Sequence, residues 1–410
     1  MKDSQVHCGE QMGPFRILVV GAGFSRAAGL PLGRDLLRLV LEEARSKDGA
    51  NNAIESDLAE FRAYRARCEG VELGREDVDL EEFVGFLDVE HALRLSGSDT
   101  LTQDGNGSQL AIRRYIGVVL QKRTPTRMDL VPSVYRDLAS RLHPTDTIIT
   151  FNYDILLERL LEHQRLPYRL FPNRFLEVHP THCTVDNSKD DLLLLKLHGS
   201  VDWFYRRQFD LGCEVLRATG NPGEPRSALF GERARFKVTP LVDGPRPAGE
   251  ELSRMFRVDD PDRFYRELPS WEAPYLLAPS SVKALYVSPL RELWDGLGRV
   301  GGLNFGLSIV GFSLPSHDEY LRQMLYRIAR NFQYFEPNHT AGGRTKAKVV
   351  LVDRQDSAAG VAALKRRYGF LDWSRTEVYC EGLDGKAVDL MLGAHEPPAR
   401  EEHVSRKGRR

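Results

Sequence analysis

Five short apolar segments recur along the 410-residue chain, each bounded by polar or turn-forming residues. They are apolar almost throughout rather than alternating with polar residues, and several are rich in β-branched side chains. This pattern is typical of parallel strands that are buried on both faces of a sheet. The predicted strands are 17–20, 147–151, 192–197, 307–310 and 347–352.

Segments with the spacing of amphipathic helices lie between or after these strands. Residues 35–45, 155–162 and 320–330 each place apolar side chains on one helical face. Ser316 stands three residues before Glu319, which predicts a capping box at the start of the last of these helices. The alternation of strand and helix predicts an α/β fold, specifically a Rossmann-like doubly wound parallel sheet.

Two regions interrupt this alternation. From about 49 to 142 the chain contains helix-like runs and hardly a strand candidate, which predicts a helical insertion. From about 206 to 273 it mixes proline, glycine and charge with weak periodicity, which favours an irregular insert or an oligomer contact. We expect the domain to span 15–395, between a flexible N-terminus (1–14) and a disordered basic tail (396–410).

The composition is that of an ordinary enzyme with a large core: 41% of the residues are hydrophobic, 28% are charged, and the net charge is -1. A chain with this net charge has no overall positive electrostatic field that would attract nucleic acid, so a small-molecule or protein partner is favoured. The N-terminus lacks the apolar core of a signal peptide, and no stretch approaches the ~20 apolar residues of a membrane span. We therefore expect a cytoplasmic protein without membrane contact.

The cysteines and histidines do not predict a metal site. The five cysteines are widely and irregularly spaced, without the paired arrangement of structural zinc, and they fit a reducing compartment. His179, His182 and Cys183 lie close together, but Pro180 interrupts the run and no fourth ligand is apparent. We predict no metal.

A glycine-rich turn follows the first predicted strand, where nucleotide-binding folds present backbone N–H groups to phosphate. Glycine permits a close approach there because it has no Cβ atom. Arg26 stands where the dinucleotide fingerprint requires its third glycine, which disfavours a conventional dehydrogenase. Phosphate binding and a purely structural βα turn both remain open for this segment, Gly21-Ala22-Gly23-Phe24-Ser25.

Three further strand ends carry candidate chemistry. After the second strand, Asn152 offers hydrogen bonds to a ribose hydroxyl or a water, and Asp154 is placed either to cap the next helix or to take part in catalysis. His198 follows the third strand and is either a base that works near neutral pH or a structural histidine satisfied by its loop. After the fourth strand, a small-residue turn can again donate N–H groups to phosphate: Gly311-Phe312-Ser313.

Together and in this order, these motifs resemble those of the sirtuin superfamily. Residues 21–31 resemble its NAD loop, and residues 150–154 its nicotinamide-pocket motif. His198-Gly199 resembles its catalytic His-Gly pair, and Arg34 matches its arginine after the Gly-Ile-Pro segment. The turn from Gly311 to Ser313 is similar to the family's second phosphate and ribose turn.

The departures from the family point away from protein deacylation. Leu32-Gly33 stands where the deacylases have Asp-Phe, and Phe151 replaces the glutamine before their catalytic asparagine. The two cysteine pairs of their zinc module have no counterpart in the sequence. Residues 279–318 instead resemble the sirtuin-like NADases of bacterial antiphage defence, which implies an NAD+ glycohydrolase that depletes NAD in an infected cell.

The resemblance implies NAD as the substrate and roles for the site residues. His198 would act as general base, Asn152 would orient water and the nicotinamide ribose, and Asp154 would hold the loop. The two glycine-containing turns would carry the pyrophosphate. Asp353, just after the fifth predicted strand, either accepts from the adenosine ribose or is a solvated turn residue.

The resemblance also bears on partners. We expect a homo-oligomer whose activity is held off until a trigger arrives, with a separate activator such as a HerA-type ATPase or a phage component. Two other functions remain open. One is a regulatory module that senses NAD or ADP-ribose without turnover, and the other is a sirtuin-type deacylase or ADP-ribosyltransferase.

Overall fold

The structure is a computed structural model. It describes residues 15–49, 52–95, 105–221, 223–269, 272–277, 286–315, 318–334 and 346–393. The predicted N-terminal segment and basic tail, Ser316 of the predicted capping box, and residues 279–281 lie outside these ranges.

The strands predicted from the sequence meet in one central sheet. In chain order, the strands of the described residues are β1 (Arg16–Val20), β2 (Thr147–Thr150), β3 (Tyr168–Arg169), β4 (Phe175–Val178), β5 (Cys183–Val185), β6 (Leu192–Lys196), β7 (Trp203–Tyr205), β8 (Val238–Pro240), β9 (Met255–Val258), β10 (Gly306–Val310), β11 (Val349–Val352) and β12 (Thr376–Tyr379). Seven of them form an all-parallel sheet in the order β12-β11-β10-β1-β2-β6-β3. With helices flanking this sheet, the predicted α/β, Rossmann-like doubly wound fold is confirmed.

Helices occupy most of the connections. In the described residues they are α1 (Ala22–Ser25), α2 (Gly33–Asp48), α3 (Ala53–Glu69), α4 (Leu80–Leu93), α5 (Gly107–Arg123), α6 (Ser133–Ser140), α7 (Leu156–His163), α8 (Arg207–Ala218), α9 (Pro261–Glu267), α10 (Arg291–Trp294), α11 (Glu319–Tyr334), α12 (Ala358–Arg367) and α13 (Gly385–Leu392). Within the described ranges, none of them combines the length and the apolar character needed to cross a bilayer.

The five predicted strands are β1, β2, β6, β10 and β11. Two strands that were not predicted complete the sheet. The strand β3 has only two residues, and β12 is a four-residue strand at the edge that includes an exposed glutamate. Neither is long or apolar enough to give a periodic signal.

The region from 49 to 142 is helical in its described part, where α3 to α6 are present and no strand is assigned. Asn52, Asp79 and Asn106 cap α3, α4 and α5 by accepting backbone N–H groups of the first turn. Phe61 and Phe83 join α3 to α4, with ring centroids 5.6 Å apart. Because α4 and α5 also pack against α2, the helices α2 to α5 form one packed group.

The region from 206 to 273 contains the helices α8 and α9 and the short strands β8 and β9, joined by loops, so it is more ordered than the irregular insert that the sequence favoured. The strands β8 and β9 pair with β7 in a small antiparallel sheet of order β7-β9-β8. Each strand has only three or four residues, which is too short for an alternating pattern to stand out among the prolines and glycines.

The strand β1 lies at the topological switch point of the sheet, where the strand order changes direction. From β1 the chain moves outward through β2 and β6, and it then returns to the other side of β1 to build β10, β11 and β12. Ligands of open α/β sheets bind in the crevice outside the carboxyl ends of the strands at such a switch point. The crevice between β1 and β10 is therefore the expected ligand site.

A buried ion pair fastens the opposite end of β1. The guanidinium of Arg16 donates from Nε to Asp146 Oδ1 at 3.0 Å and from Nη2 to Oδ2 at 2.5 Å. The backbone N–H of His143 also donates to Asp146 Oδ2, at 2.9 Å. Both charged side chains are buried, so each depends on the other to offset the loss of hydration.

We predict that Asp146→Ala lowers the free energy of unfolding by about 3–5 kcal/mol, because it leaves Arg16 buried without its counter-charge. The control is Glu42→Ala, which removes an exposed pair with Arg38 on α2 and is expected to cost less than about 1 kcal/mol. Urea unfolding of both variants measures the difference. Equal losses would contradict a stabilising role for the buried pair.

Candidate active site at the carboxyl ends of the parallel strands

The sequence motifs that end β1, β2, β6 and β10 meet around two adjoining cavities. The inner cavity has a volume of about 140 Å³ and is lined by Gly21, Asn152, Asp154 and His198, among others. The outer groove has a volume of about 760 Å³, and its lining includes Gly23, Arg34, Gly311 and Asp353. Five residues line both: Ala22, Gly33, Glu81, Ser313 and Pro315.

The two glycine-containing turns touch each other through their backbones. Gly21 N–H donates to the Val310 carbonyl at 3.0 Å, and Gly23 N–H donates to the Gly311 carbonyl at 2.8 Å. A Cβ atom on Gly23 would lie 2.8 Å from Gly311 Cα, and one on Gly311 would overlap the Phe24 nitrogen. These glycines therefore serve the packing of one turn against the other.

Other N–H groups at the same place remain available for a ligand. Among the described residues, the backbone N–H groups of Ala22, Phe312 and Ser313 donate to no backbone carbonyl. The sixteen-residue helix α2 begins on the wall of the groove and adds the N–H groups of Gly33 and Arg34, while that of Asp35 donates to the Leu32 carbonyl at 3.0 Å. The Arg34 side chain is 72% exposed, and its Nε atom lies 4.0 Å from Asp35 Oδ2. Because Arg34 also lines the groove, an anion there would meet N–H donors and a guanidinium group.

Asn152 ties the second strand end to the glycine-rich turn. Its Nδ2 group donates to the Gly21 carbonyl at 3.0 Å and to Ser25 Oγ at 3.1 Å. Because a carbonyl oxygen only accepts hydrogen bonds, the contact with Gly21 fixes the orientation of the amide. The Asn152 Oδ1 atom is thus the part of the side chain left to accept from a ligand at the inner cavity.

His198 lies in a buried aromatic cage. Its ring centroid is 5.3 Å from that of Phe151 and 6.4 Å from that of Trp294. The Trp294 indole N–H donates to the Leu197 carbonyl at 3.2 Å, which holds the strand end against the cage. Gly199 has φ +81°, and a Cβ atom there would overlap the Tyr275 carbonyl, so the turn after His198 requires glycine.

Asp318 is a site residue that the sequence did not reveal as one. Its Oδ2 atom lies 3.4 Å from His198 Nε2, and both side chains are almost completely buried. Its Oδ1 atom accepts the Leu321 N–H at 3.2 Å at the start of α11. The motif that ends in Pro315-x-x-Asp318 belongs to the sequence resemblance, but only the fold brings this carboxylate to the histidine.

Asp154 lies one residue before the N-cap of α7, which is Ile155 and not Asp154 as the sequence predicted, yet its side chain still accepts an N–H group at the start of that helix. Its Oδ1 atom accepts the Leu156 N–H at 3.0 Å, and its carbonyl accepts a hydrogen bond from Lys196 Nζ. Lys196 also pairs with Glu158 at 2.7 Å, and both side chains are buried. Burial raises the pKa of Glu158 while the charge of Lys196 opposes that rise. The buried pair of Lys196 and Glu158 thus holds the backbone of the Asp154 loop through the Asp154 carbonyl.

The remaining predicted residues divide between core and groove. The Phe24 side chain packs edge-on against Tyr135 with centroids 5.1 Å apart and lines neither cavity, so only its backbone belongs to the turn. Asp353 follows β11 on the wall of the outer groove. Its carboxylate accepts from the Arg354 N–H at 2.8 Å and from Gln355 Nε2 at 2.9 Å.

Aromatic side chains make the inner cavity largely apolar. Phe151 and Phe312 stack with centroids 4.8 Å apart, although β1 lies between their strands. They meet beside Gly21, where a Cβ atom would lie 2.6 Å from Phe312 Cδ2. Burial raises the pKa of the Tyr153 phenol, which stays neutral and donates to the Leu277 carbonyl at 2.8 Å.

No protein-family model and no curated protein matches this chain. The geometry of the site and the chemistry of its side chains therefore carry the functional argument.

We predict that Gly311→Ala is much more destabilising than Gly70→Ala. Both glycines have positive φ, +57° and +68°, so both variants pay about 1–2 kcal/mol of backbone strain. Only the methyl group at 311 overlaps another backbone segment, since no atom lies within 4 Å of one at Gly70. Thermal and urea unfolding measure both, and similar losses would contradict tight packing of the two turns.

Proposed function

We propose that this chain is an NAD+ glycohydrolase that cleaves NAD to ADP-ribose and nicotinamide. One observation carries the proposal. At the switch point of the sheet, a groove with anion-binding groups opens into a small cavity that holds His198, paired with Asp318, and Asn152. The sequence resemblance to sirtuin-like NADases supports the same assignment.

The two cavities suit the two parts of NAD. The pyrophosphate would accept from the N–H groups of Ala22 and Ser313, with Arg34 and the start of α2 supplying positive potential. The adenosine ribose would lie near Asp353 on the far wall of the groove. The nicotinamide end would enter the inner cavity, where Phe151 offers an apolar wall to a flat ring.

The reaction needs little acid catalysis, because nicotinamide leaves as a neutral molecule. The bond between ribose C1′ and the pyridinium nitrogen breaks, its electron pair goes to the nitrogen, and water oxygen bonds to C1′. His198 takes the proton of that water, directly or through a ribose hydroxyl, and passes it to solvent. The oxygen atom of Asn152 would orient the water or the ribose. ADP-ribose, nicotinamide and one proton result.

Asp318 would support His198 in this role. A buried carboxylate beside the imidazole stabilises the imidazolium that forms during proton transfer and restrains the ring. The carboxylate is itself held by the Leu321 N–H, so the pair is fixed before substrate arrives. Asp318 is thus a positioning residue.

The biological role that fits this chemistry is antiphage defence through NAD depletion. We propose, on the sequence resemblance, that the protein works as a homo-oligomer in the cytoplasm. Because unrestrained NAD hydrolysis harms the host, we also propose control by a separate activator such as a HerA-type ATPase or a phage component. Measuring cellular NAD during phage infection, with and without the chain, tests this role.

We predict that the protein hydrolyses NAD and that His198→Ala and Asn152→Ala each lower kcat by roughly 10²–10⁴-fold, the usual contribution of a positioned acid or base. The control is His182→Ala, which changes an exposed histidine that lines neither cavity. The assay is chromatography of nicotinamide and ADP-ribose after incubation with NAD. Full activity in both site variants would refute the assignment of the site.

Three further measurements separate the other functions. Tight binding of NAD that stays intact, under every activator condition, would favour a sensing module. Transfer of label from NAD to protein would favour an ADP-ribosyltransferase. NAD-dependent loss of acyl groups from lysine would favour a deacylase.

We predict that Asp318→Asn lowers kcat and moves the acidic limb of the pH–rate profile to lower pH. The carboxylate favours protonated His198, and a neutral amide does not, so the base stays unprotonated to lower pH. Asparagine keeps the cap of α11. The control is Asp260→Asn, the same change in the cap of α9, which should leave the profile in place. An unmoved profile in Asp318→Asn would contradict the positioning role.

A further inference from the structure

The helical insertion supplies part of the wall of the active site. Asp79 caps α4 and accepts the N–H groups of Glu81 at 2.8 Å and Glu82 at 3.2 Å. This cap fixes the first turn of α4 beside the inner cavity. Leu80 and Glu81 of this turn line the inner cavity together with Leu120 of α5. The insertion therefore contributes residues that the strand-end motifs alone do not supply.

Glu81 occupies the boundary between the two cavities. Of the five residues that line both of them in the described structure, it is the only one with an ionisable side chain. The others are Ala22, Gly33, Ser313 and Pro315. Ala22 and Ser313, the proposed donors to the pyrophosphate, share this boundary, so a substrate with its nicotinamide in the inner cavity would place the intervening ribose next to Glu81.

We infer that Glu81 is a catalytic residue whose carboxylate faces the nicotinamide ribose and stabilises positive charge at C1′ as the glycosidic bond breaks. This inference rests on the proposed function and adds a third side chain to it. Departure of neutral nicotinamide leaves an oxocarbenium-like ribose, and a preorganised negative charge lowers the energy of that transition state. Glu81 forms no covalent bond in this step, and water still becomes bonded to C1′.

The electrostatics of the inner cavity agree with this placement. Burial raises the pKa of Tyr153, and the negative charge of Glu81 is the next largest cause. The Tyr153 ring lies 6.3 Å from that of His198. The charge of Glu81 therefore acts on a side chain that is next to the proposed base. The charge of Asp318 contributes to the same rise in the pKa of Tyr153, and the charge of Arg113 opposes it.

Glu81 and His198 would have separate tasks. His198 faces Asp318 and removes a proton from the nucleophile, whereas Glu81 comes from another structural element and acts on the charge of the sugar. Loss of Glu81 should therefore reduce the chemical step while leaving recognition of the ADP part intact. Its neighbour Glu82 is exposed and pairs with Arg65 at 2.6 Å, outside both cavities.

The test compares Glu81→Gln with Glu82→Gln in the full chain, under conditions in which the wild-type protein hydrolyses NAD. We expect Glu81→Gln to lower kcat by about 10²–10³-fold, the size of effect seen when one preorganised electrostatic group is removed. Its affinity for ADP-ribose, measured by calorimetry, should stay within about twofold of wild type, since ADP-ribose carries no developing charge. Glu82→Gln should keep both kcat and affinity.

Glu81→Asp is the second variant, because it keeps the charge on a shorter side chain and should keep more activity than Glu81→Gln. If the wild-type protein never cleaves NAD, the proposed function is overturned and this inference with it. If the wild type cleaves NAD and Glu81→Gln is as fast as Glu82→Gln, only the inference is overturned. A loss of ADP-ribose affinity as large as the loss of kcat/KM would also overturn it, since it would indicate a binding role.

Discussion

The backbone contact between the turns after β1 and β10 is the constraint on which the rest of the site depends. Two hydrogen bonds join Gly21 and Gly23 to the β10 turn, and the Gly311 backbone leaves no room for a side chain. This close approach lets Phe312 pass beside Gly21 to reach Phe151. The contact between the turns also engages the N–H groups of Gly21 and Gly23 in hydrogen bonds within the protein, so a ligand would have to use other N–H groups of these turns.

This contact explains why glycines in such a turn do not by themselves indicate phosphate binding. The N–H groups of Gly21 and Gly23 donate to the carbonyls of Val310 and Gly311, whereas those of Ala22 and Ser313 donate to no backbone carbonyl of the described residues. The structural and the nucleotide-binding interpretations of the turn are therefore compatible. Glycine brings two turns together, and the residues between and beyond the glycines supply the donors.

The acidic side chains near the cavity differ in their contacts and therefore in what they can do. Asp154 accepts from the start of α7 and shapes a loop, while Asp318 faces a buried histidine. Glu81 lines both cavities from a helix outside the sheet. Residue type alone would not separate these carboxylates, because burial and neighbours determine the chemistry of each.

The sequence by itself determined the five buried apolar strands and the residues that follow them. Continuous apolar segments are a local signal, and they placed Asn152 and His198 at the ends of two strands of a parallel sheet, where such folds hold their ligands. Only the tertiary structure decided the short strands β3 and β12, the pairing of His198 with Asp318 and the position of Glu81. These features join segments that are far apart in the chain, and such contacts leave no periodicity or spacing in the sequence.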